Sequence, residues 1–306
     1  MAADKITCGT KRSCMKTDFR RVVIIGYGKA TGEILKYTAD RRADYSYTLE
    51  FIEHEPHALS VTKQICEERG IPFASLPDKR ELGDYFGKIQ EKTLIVSASN
   101  NFLFPAALVE RKNITIINFH NALLPDYPGR NAPSWVIYRG ETRTGITWHY
   151  VTAGVDEGGI IIQKSCEIGS DTKAHELTET LMDLAYEGFC ECFDGVLQEN
   201  AEARPQGFSP ERRMYRSSEI PGDGFLDINE PPEKLYCLLR SVDYGKSGIF
   251  PPLQTEIAGK RAEILRYRKV APEKKKEGAD MLYLPFADGE LLKIKYRLLL
   301  NGRKRN

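Results

Sequence analysis

The sequence predicts an α/β domain built on a mostly parallel sheet with helices on both faces, followed by a small β-rich domain. Three observations carry this. Short apolar runs alternate with helical patterns from residue 20 to residue 118, and strands that alternate with helices make parallel sheets covered on both faces. One long helical pattern at 173–200 closes that region. Beyond a polar, Arg-rich stretch at 201–220 the pattern restarts, and after one helix only short strand-length runs recur.

The elements follow in order. Residues 20–26 form an apolar run ending in glycine, and a helical pattern is established from Glu33. Tyr47–Ile52 predicts a second strand, 57–69 a helix stopped by Gly70, and Ile71–Phe73 a third strand. Lys79–Lys88 predicts a helix, Thr93–Ser97 a strand, Phe104–Glu110 a helix and Ile114–Asn118 a fifth strand. Ala132–Arg139 predicts a helix, and Thr144–Tyr150 and Gly159–Glu167 predict strands. In 173–200, Leu177, Leu181, Leu184, Ala185 and Phe189 recur at helical spacing. The C-terminal region predicts a helix at Pro232–Leu239 and strands near 255–258, 261–269, 281–286 and 291–297. The domains expected are a flexible tail at 1–19, a catalytic domain at 20–200, a linker at 201–221 and a small domain at 222–306.

Composition sets outer limits. With 306 residues, 41% hydrophobic and 28% charged, the chain reads as globular and long enough for its own cores. The net charge is +1, but residues 260–306 hold 14 Lys/Arg against 6 Asp/Glu. A near-neutral total therefore hides a basic C-terminal segment, either a solvated face or a surface for an anionic partner. Seven cysteines, Cys8, Cys14, Cys66, Cys166, Cys190, Cys192 and Cys237, lack metal-site spacing. They fit reduced thiols in a cytoplasmic protein. No apolar run approaches the ~18 residues that a membrane helix needs, and no secretory h-region precedes Met15.

Gly26-Tyr27-Gly28 with Gly32 follows the first strand. Such glycines let a backbone approach a ligand, or let a helix start close to a sheet. The spacing is GxGxxxG, and a dinucleotide site is disfavoured for that reason.

The chemistry is concentrated between Asn118 and Gln163. Asn118 and His120 alternate with Ile117 and Phe119 at the end of a strand, so both polar side chains share one side. Ligands of open α/β sheets bind beyond the carboxyl ends of strands. Asp156 follows in the turn Gly154-Val155-Asp156-Glu157-Gly158-Gly159. An amide, an imidazole and a carboxylate make a set that holds an oxyanion and moves a proton. No Ser or Cys is placed as a nucleophile, which favours direct attack by a bound substrate. His149 alternates with Trp148 in the strand before the turn and is read as a packed strand histidine.

Three motifs stand in order: Asn118-x-His120-x-x-Leu123-Leu124-Pro125, then Gly145-x-Thr147-x-His149, then Asp156-x-Gly158, with 36 residues from His120 to Asp156. Together they resemble the folate-dependent formyltransferases, which act on methionyl-tRNA, glycinamide ribonucleotide or amino sugars. The resemblance implies a Rossmann-like sheet, an OB-like C-terminal barrel, and 10-formyltetrahydrofolate as cosubstrate with no metal. It implies Asn118, His120 and Asp156 as catalytic residues, and Phe102, Leu103, Phe104, Gly154 and Val155 as backbone contacts to the pterin. Ala122 stands where the family often has Ser, so a small residue is kept and a hydroxyl is lost.

The acceptor is a small-molecule primary amine on this reading. The stretch Arg130–Trp135, with Gly145–His149, resembles enzymes that formylate nucleotide-linked amino sugars. Tyr127, Arg130 and Asn131 are the expected substrate contacts. The tRNA enzyme carries a basic loop after its second strand, and 51–58 is short with two Glu here, so a nucleic-acid partner is disfavoured. Methionyl-tRNA, a hydroxyornithine side chain and folate binding without turnover stand as alternatives. No membrane partner is expected, and a homodimer through the C-terminal β-domain is expected by analogy.

Overall fold

The computed structural model describes residues 15–55, 60–207, 209, 212–276, 278 and 280–299. Within the expected 1–19 tail, residues 1–14, with Cys8 and Cys14, lie outside the described residues. Met15, Thr17 and Phe19 are tied down: Met15 N–H donates to Asp44 (2.9 Å), Thr17 Oγ1 donates to the Leu197 carbonyl (2.7 Å), and Phe19 is buried.

The first strands and helices alternate as β1 (Arg21–Gly26), α1 (Gly28–Arg41), β2 (Thr48–Glu53), α2 (Val61–Arg69), β3 (Phe73–Ser75), α3 (Lys79–Gly87), β4 (Thr93–Ala98), α4 (Ala106–Val109) and β5 (Ile114–His120). Then come α5 (Ala132–Tyr138), β6 (Arg143–Tyr150), β7 (Ile160–Glu167) and α6 (Ala174–Leu197). One sheet runs β3-β2-β1-β4-β5-β6-β7. The pairs from β3 to β5 are parallel, and β5 pairs antiparallel with β6. The order reverses between β1 and β4, as in a Rossmann-like half.

Local chemistry explains the helix ends. Ser60 caps α2 by accepting from Lys63 N–H, and Gly70 ends it at φ 60°. Asp78 caps α3 through Arg80 and Glu81 N–H. Helix α1 starts at Gly28, five residues earlier than the apolar pattern from Glu33 implies. Its buried face includes Ala30, Thr31, Ile34, Leu35 and Thr38, and the small polar members hid the period. Gly26 has a packing reason: a Cβ there would meet the Ala98 carbonyl oxygen of β4 at 1.5 Å.

The described residues fall into two compact units. The first takes in the described residues up to 120, with those of 147–163 and 182–206; the second takes in those of 121–146, 164–181 and from 207 onward. In the first, Val23, Ile25, Ile52, Leu82, Phe86, Ile95, Phe102 and Ile116 share a core. On another face Phe119, Trp148 and Phe189 pack ring to ring, and Trp148 Nε1 donates to the Ala185 carbonyl (2.8 Å).

The second unit contains α7 (Pro232–Ser241) and a four-stranded antiparallel sheet. Its strands are β8 (Gln254–Ile257), β9 (Lys260–Val270), β10 (Met281–Pro285) and β11 (Leu291–Leu298), in the order β10-β11-β9-β8. Leu235, Leu238 and Leu239 of α7 pack with Ile264, Leu292 and Ile294 of that sheet. Asp243, just past α7, accepts from Tyr267 Oη (2.7 Å), Lys173 Nζ (2.9 Å) and Gly245 N–H (3.1 Å). Burial pushes its carboxyl up, but these donors win and hold it below the ordinary carboxylate range.

The stretch expected as a linker is laced into both units. Arg204 bridges with Ile160 in the first, and Tyr215 bridges with Gly129 in the second. Cys66, Cys166, Cys190, Cys192 and Cys237 are free, and burial pushes Cys66 and Cys192 up to about 12. Among the described residues no helix is long and apolar enough to cross a membrane.

Two predictions follow from this packing. Gly26→Ala forces a backbone clash that no side chain can relieve, and urea unfolding is expected to show a loss of about 3 kcal/mol or more. Asp243 gives up its depressed carboxyl value on unfolding, so its stabilisation is complete above the ordinary carboxylate range and fades as the pH falls through the folded value. Asp243→Asn is expected to cost about 1.5–3 kcal/mol at neutral pH. Its Tm deficit should begin to shrink near the unfolded value, about pH 4, and close below the depressed folded value; a deficit that stays constant through that range would exclude the charge as the cause.

Candidate active site

Strand register builds the site. In the parallel β4–β5 pair Ser97 lies opposite Asn118, and in the antiparallel β5–β6 pair Asn118 lies opposite His149. Three polar residues thus stand side by side across three strands. Their side chains bond in that order: Ser97 Oγ donates to Asn118 Oδ1 (2.8 Å), and Asn118 Nδ2 lies 3.2 Å from His149 Nε2. Strand β5 runs two residues beyond its expected end and includes His120.

Asp156 joins from the β6–β7 loop. Its Oδ2 lies 3.5 Å from His120 Nδ1, and its Oδ1 lies 3.5 Å from His149 Nε2. The side chains of His120, His149 and Asp156 are 8%, 2% and 11% exposed. So little water strengthens every charge interaction among them. The loop that presents Asp156 is tight: Asp156 has φ 53°, in the left-handed region that Asp tolerates better than most residues. A Cβ at Gly158 would meet the Tyr150 carbonyl oxygen at 1.7 Å. Tyr150 N–H donates to Gly159 (3.0 Å), and Gln206 Nε2 donates to the carbonyls of both Asp156 and Gly158 at 2.8 Å. Gly154 and Val155 lie on the same loop, both half-buried.

The aromatic segment after β4 is also in the first unit. Asn100 Oδ1 accepts from Phe102 N–H (3.0 Å), and Asn100 Nδ2 donates to the Phe102 carbonyl (3.2 Å). Phe102 is buried and meets Phe104 edge to face at 5.4 Å, whereas Leu103 between them is 73% exposed. Asn101 Nδ2 donates to Glu55.

The expected acceptor contacts belong to the second unit. Tyr127 Oη donates to Glu141 (2.6 Å), and its ring stacks on Tyr215 at 6.0 Å. Burial and Glu141 push its phenol up. Arg130 N–H donates to the Tyr215 carbonyl (2.9 Å), and Asn131, at φ 56°, stands at the N-cap position of α5 without a side-chain cap bond. Tyr215 stacks on Trp135 at 4.2 Å.

Sequence reasoning gathered Asn118, His120 and Asp156, and the structure brings the three together. It missed Ser97, Asn100 and Gln206. Ser97 closes a predicted strand and was visible as a polar residue at a strand end; Gln206 carried no signal within a stretch read as linker. His149 is packed as expected, yet its ring faces both Asn118 and Asp156. Chemically, the cluster presents an amide, two imidazoles and a carboxylate at the ends of strands. The Ser97 hydroxyl is committed to Asn118. Among the described residues no group of three or more His, Cys, Asp or Glu is gathered to hold a metal ion.

Comparison with known proteins supplies the context for this geometry. Residues 59–193 match the family model described as "Formyl transferase". The chain is 31% identical over 255 residues to the methionyl-tRNA formyltransferase of Geobacter metallireducens, covering 79% of this chain and 77% of that one. A shorter match of 116 residues, 35% identical, to the methionyl-tRNA formyltransferase of Alkaliphilus oremlandii covers 38% of this chain and 37% of that one. Among solved structures, the fold matches the Helicobacter canadensis N-formyltransferase in complex with folinic acid and dTDP-3-aminofucose. That match has a TM-score of 0.68 at 14% identity and covers 91% of this chain and 100% of that one. A 4-N formyltransferase from Francisella tularensis matches with a TM-score of 0.63 at 17% identity, covering 80% and 96%. Given the identity and length of the Geobacter match, this chain belongs to the formyltransferase family.

Proposed function

We propose that this protein transfers a formyl group from 10-formyltetrahydrofolate to the primary amine of a nucleotide-linked amino sugar. The observation that carries formyl transfer is the contact of Asp156 with His120, beside Asn118 at the end of β5. The substrate amine attacks the formyl carbon and a carbon–nitrogen bond forms. Asn118 donates to the formyl oxygen as it becomes an oxyanion. His120 and Asp156 take up the amine proton, N10 of the folate leaves with its bonding electrons, and a proton is returned to it. Phe102, Leu103, Phe104, Gly154 and Val155 hold the pterin; the exposed Leu103 between two anchored phenylalanines supports this.

The amino-sugar acceptor is supported by the segment after β2. Its described part is His54, buried, and Glu55, which follow the buried Glu53 at the end of β2; the rest of the expected segment, residues 56–58, lies outside the described residues. Tyr127, Arg130 and Asn131 are the acceptor contacts on this reading. The Helicobacter enzyme, which shares the fold, is solved with dTDP-3-aminofucose and supports the same reading. The match to the Geobacter enzyme favours a second reading, with methionyl-tRNA as acceptor.

The deciding experiment supplies 10-formyltetrahydrofolate with a panel of dTDP- and UDP-amino sugars, and separately with methionine-charged initiator tRNA. Release of tetrahydrofolate and the mass of the acceptor are followed. A sugar nucleotide that gains one formyl group supports the first reading; formylation of the tRNA alone selects the second. Asn118→Ala is expected to lower kcat about 100- to 1000-fold, and His120→Asn at least about 100-fold, with folate affinity kept. Gln206→Ala releases the loop that presents Asp156, and a kcat loss of about tenfold is expected from that misplacement. Unchanged turnover in the Gln206 variant would show that the loop holds its shape without the clamp.

A further inference from the structure

We propose that Ser97 and His149 are positioning residues that fix which way the Asn118 amide points, through a hydrogen-bond chain with one direction. The inference rests on Asn118 as the donor to the formyl oxygen. An Asn side chain has two orientations that differ only in exchange of its oxygen and nitrogen. Here the neighbours decide between them.

The decision begins at the far end of the chain. His149 Nδ1 lies 2.9 Å from the Tyr150 carbonyl oxygen, and a carbonyl only accepts. Nδ1 therefore carries the hydrogen, and in the neutral ring Nε2 is left as an acceptor. Nε2 faces Asn118 at 3.2 Å, so the group that meets it must donate, and that is Nδ2. Oδ1 then faces Ser97, whose Oγ–H donates to it at 2.8 Å. Ser97 Oγ accepts in turn from Asn100 Nδ2 at 3.3 Å. From Asn100 to Tyr150 every bond has the same sense. Reversing Asn118 would set its oxygen against the bare Nε2 and its N–H against the Ser97 hydroxyl.

The consequence is a prepared donor. Asn118 Nδ2 has two hydrogens, and one is held by His149. The plane of the amide is pinned at both ends, so the second hydrogen is aimed before substrate arrives, which is what makes an oxyanion donor effective. The chain also reaches Asn100, whose side chain shapes the backbone at Phe102. The aim of the catalytic amide and the shape of the aromatic loop are thereby set by one network. Asp156 Oδ1, 3.5 Å from Nε2, is the competing partner. A cationic His149 would donate to it and give up Asn118.

Two measurements test this. The first reads the ring directly: proton–nitrogen correlation on the full-length protein labelled with 15N-histidine, at neutral pH, with His149→Gln identifying the signal. A neutral ring protonated on Nδ1 is expected; protonation on Nε2, or an imidazolium, overturns the proposal. The second is kinetic. Ser97→Ala is expected to lower kcat about tenfold with KM for the folate unchanged, and Ser97→Thr to restore it. In an Asn118→Ala background Ser97→Ala should cost nothing further, because both act through one amide. A full additional loss there overturns the proposal. Wild-type protein that transfers no formyl group to any amine would instead remove the functional reading, and the nitrogen signals would still decide the chain.

Discussion

The register of β4, β5 and β6 is the constraint on which the rest of this structure depends. A strand exposes alternate residues to opposite sides, so a slip of one residue would turn a whole row over. Here one row is polar: Ser97, Asn118 and His149. The adjacent row is apolar: Phe119 lies opposite Trp148, and both pack toward Phe189. The buried aromatic row holds the polar row in place. Slippage would set the amide and imidazole among aromatics without their polar partners and place two large rings among polar groups, both unfavourable. Core packing thus sets the geometry of the site.

Around that ladder, each added element brings one chemical role. The β6–β7 loop brings a carboxylate within reach of two imidazoles. The segment after β4 brings an apolar side chain into the open on an anchored base. The chain beyond α6 then closes the Asp156 loop through one amide. None of these pieces carries the chemistry alone, and they come from parts of the sequence more than a hundred residues apart. The second unit is held differently. There a half-buried carboxylate, Asp243, gathers a phenol, an ammonium and a backbone N–H around itself, just past α7.

Most of the fold was legible from periodicity. The eleven strands of the described residues lie within about two residues of their expected bounds, because apolar runs bounded by Gly, Pro and polar turns carry their own limits. Helix α1 was placed late, since Thr31 and Thr38 are buried on its inner face and break the apolar pattern. In the site, Asn118, His120 and Asp156 were legible because strand-end alternation and a glycine-rich turn mark them. Ser97 and Gln206 were not. Their part depends on which strands are neighbours and on where a coil segment lies, and neither is written in local spacing. His149 shows the limit most clearly. The sequence marks it as packed, which it is; its second face depends on the cross-strand partner.

The Gln206 clamp has a consequence for how the protein comes into being. A ribosome releases the chain from its N-terminus, so Asn118, His120 and Asp156 all emerge before the residue that ties down the Asp156 loop. The first unit is completed only by its last segment, 182–206. A nascent chain that ends short of that segment carries every proposed catalytic side chain, yet lacks the tie that shapes their loop. Competence is therefore acquired late, once the coil beyond α6 has folded back. A fragment cut at the end of that helix would be a domain by sequence and an unfinished site by structure.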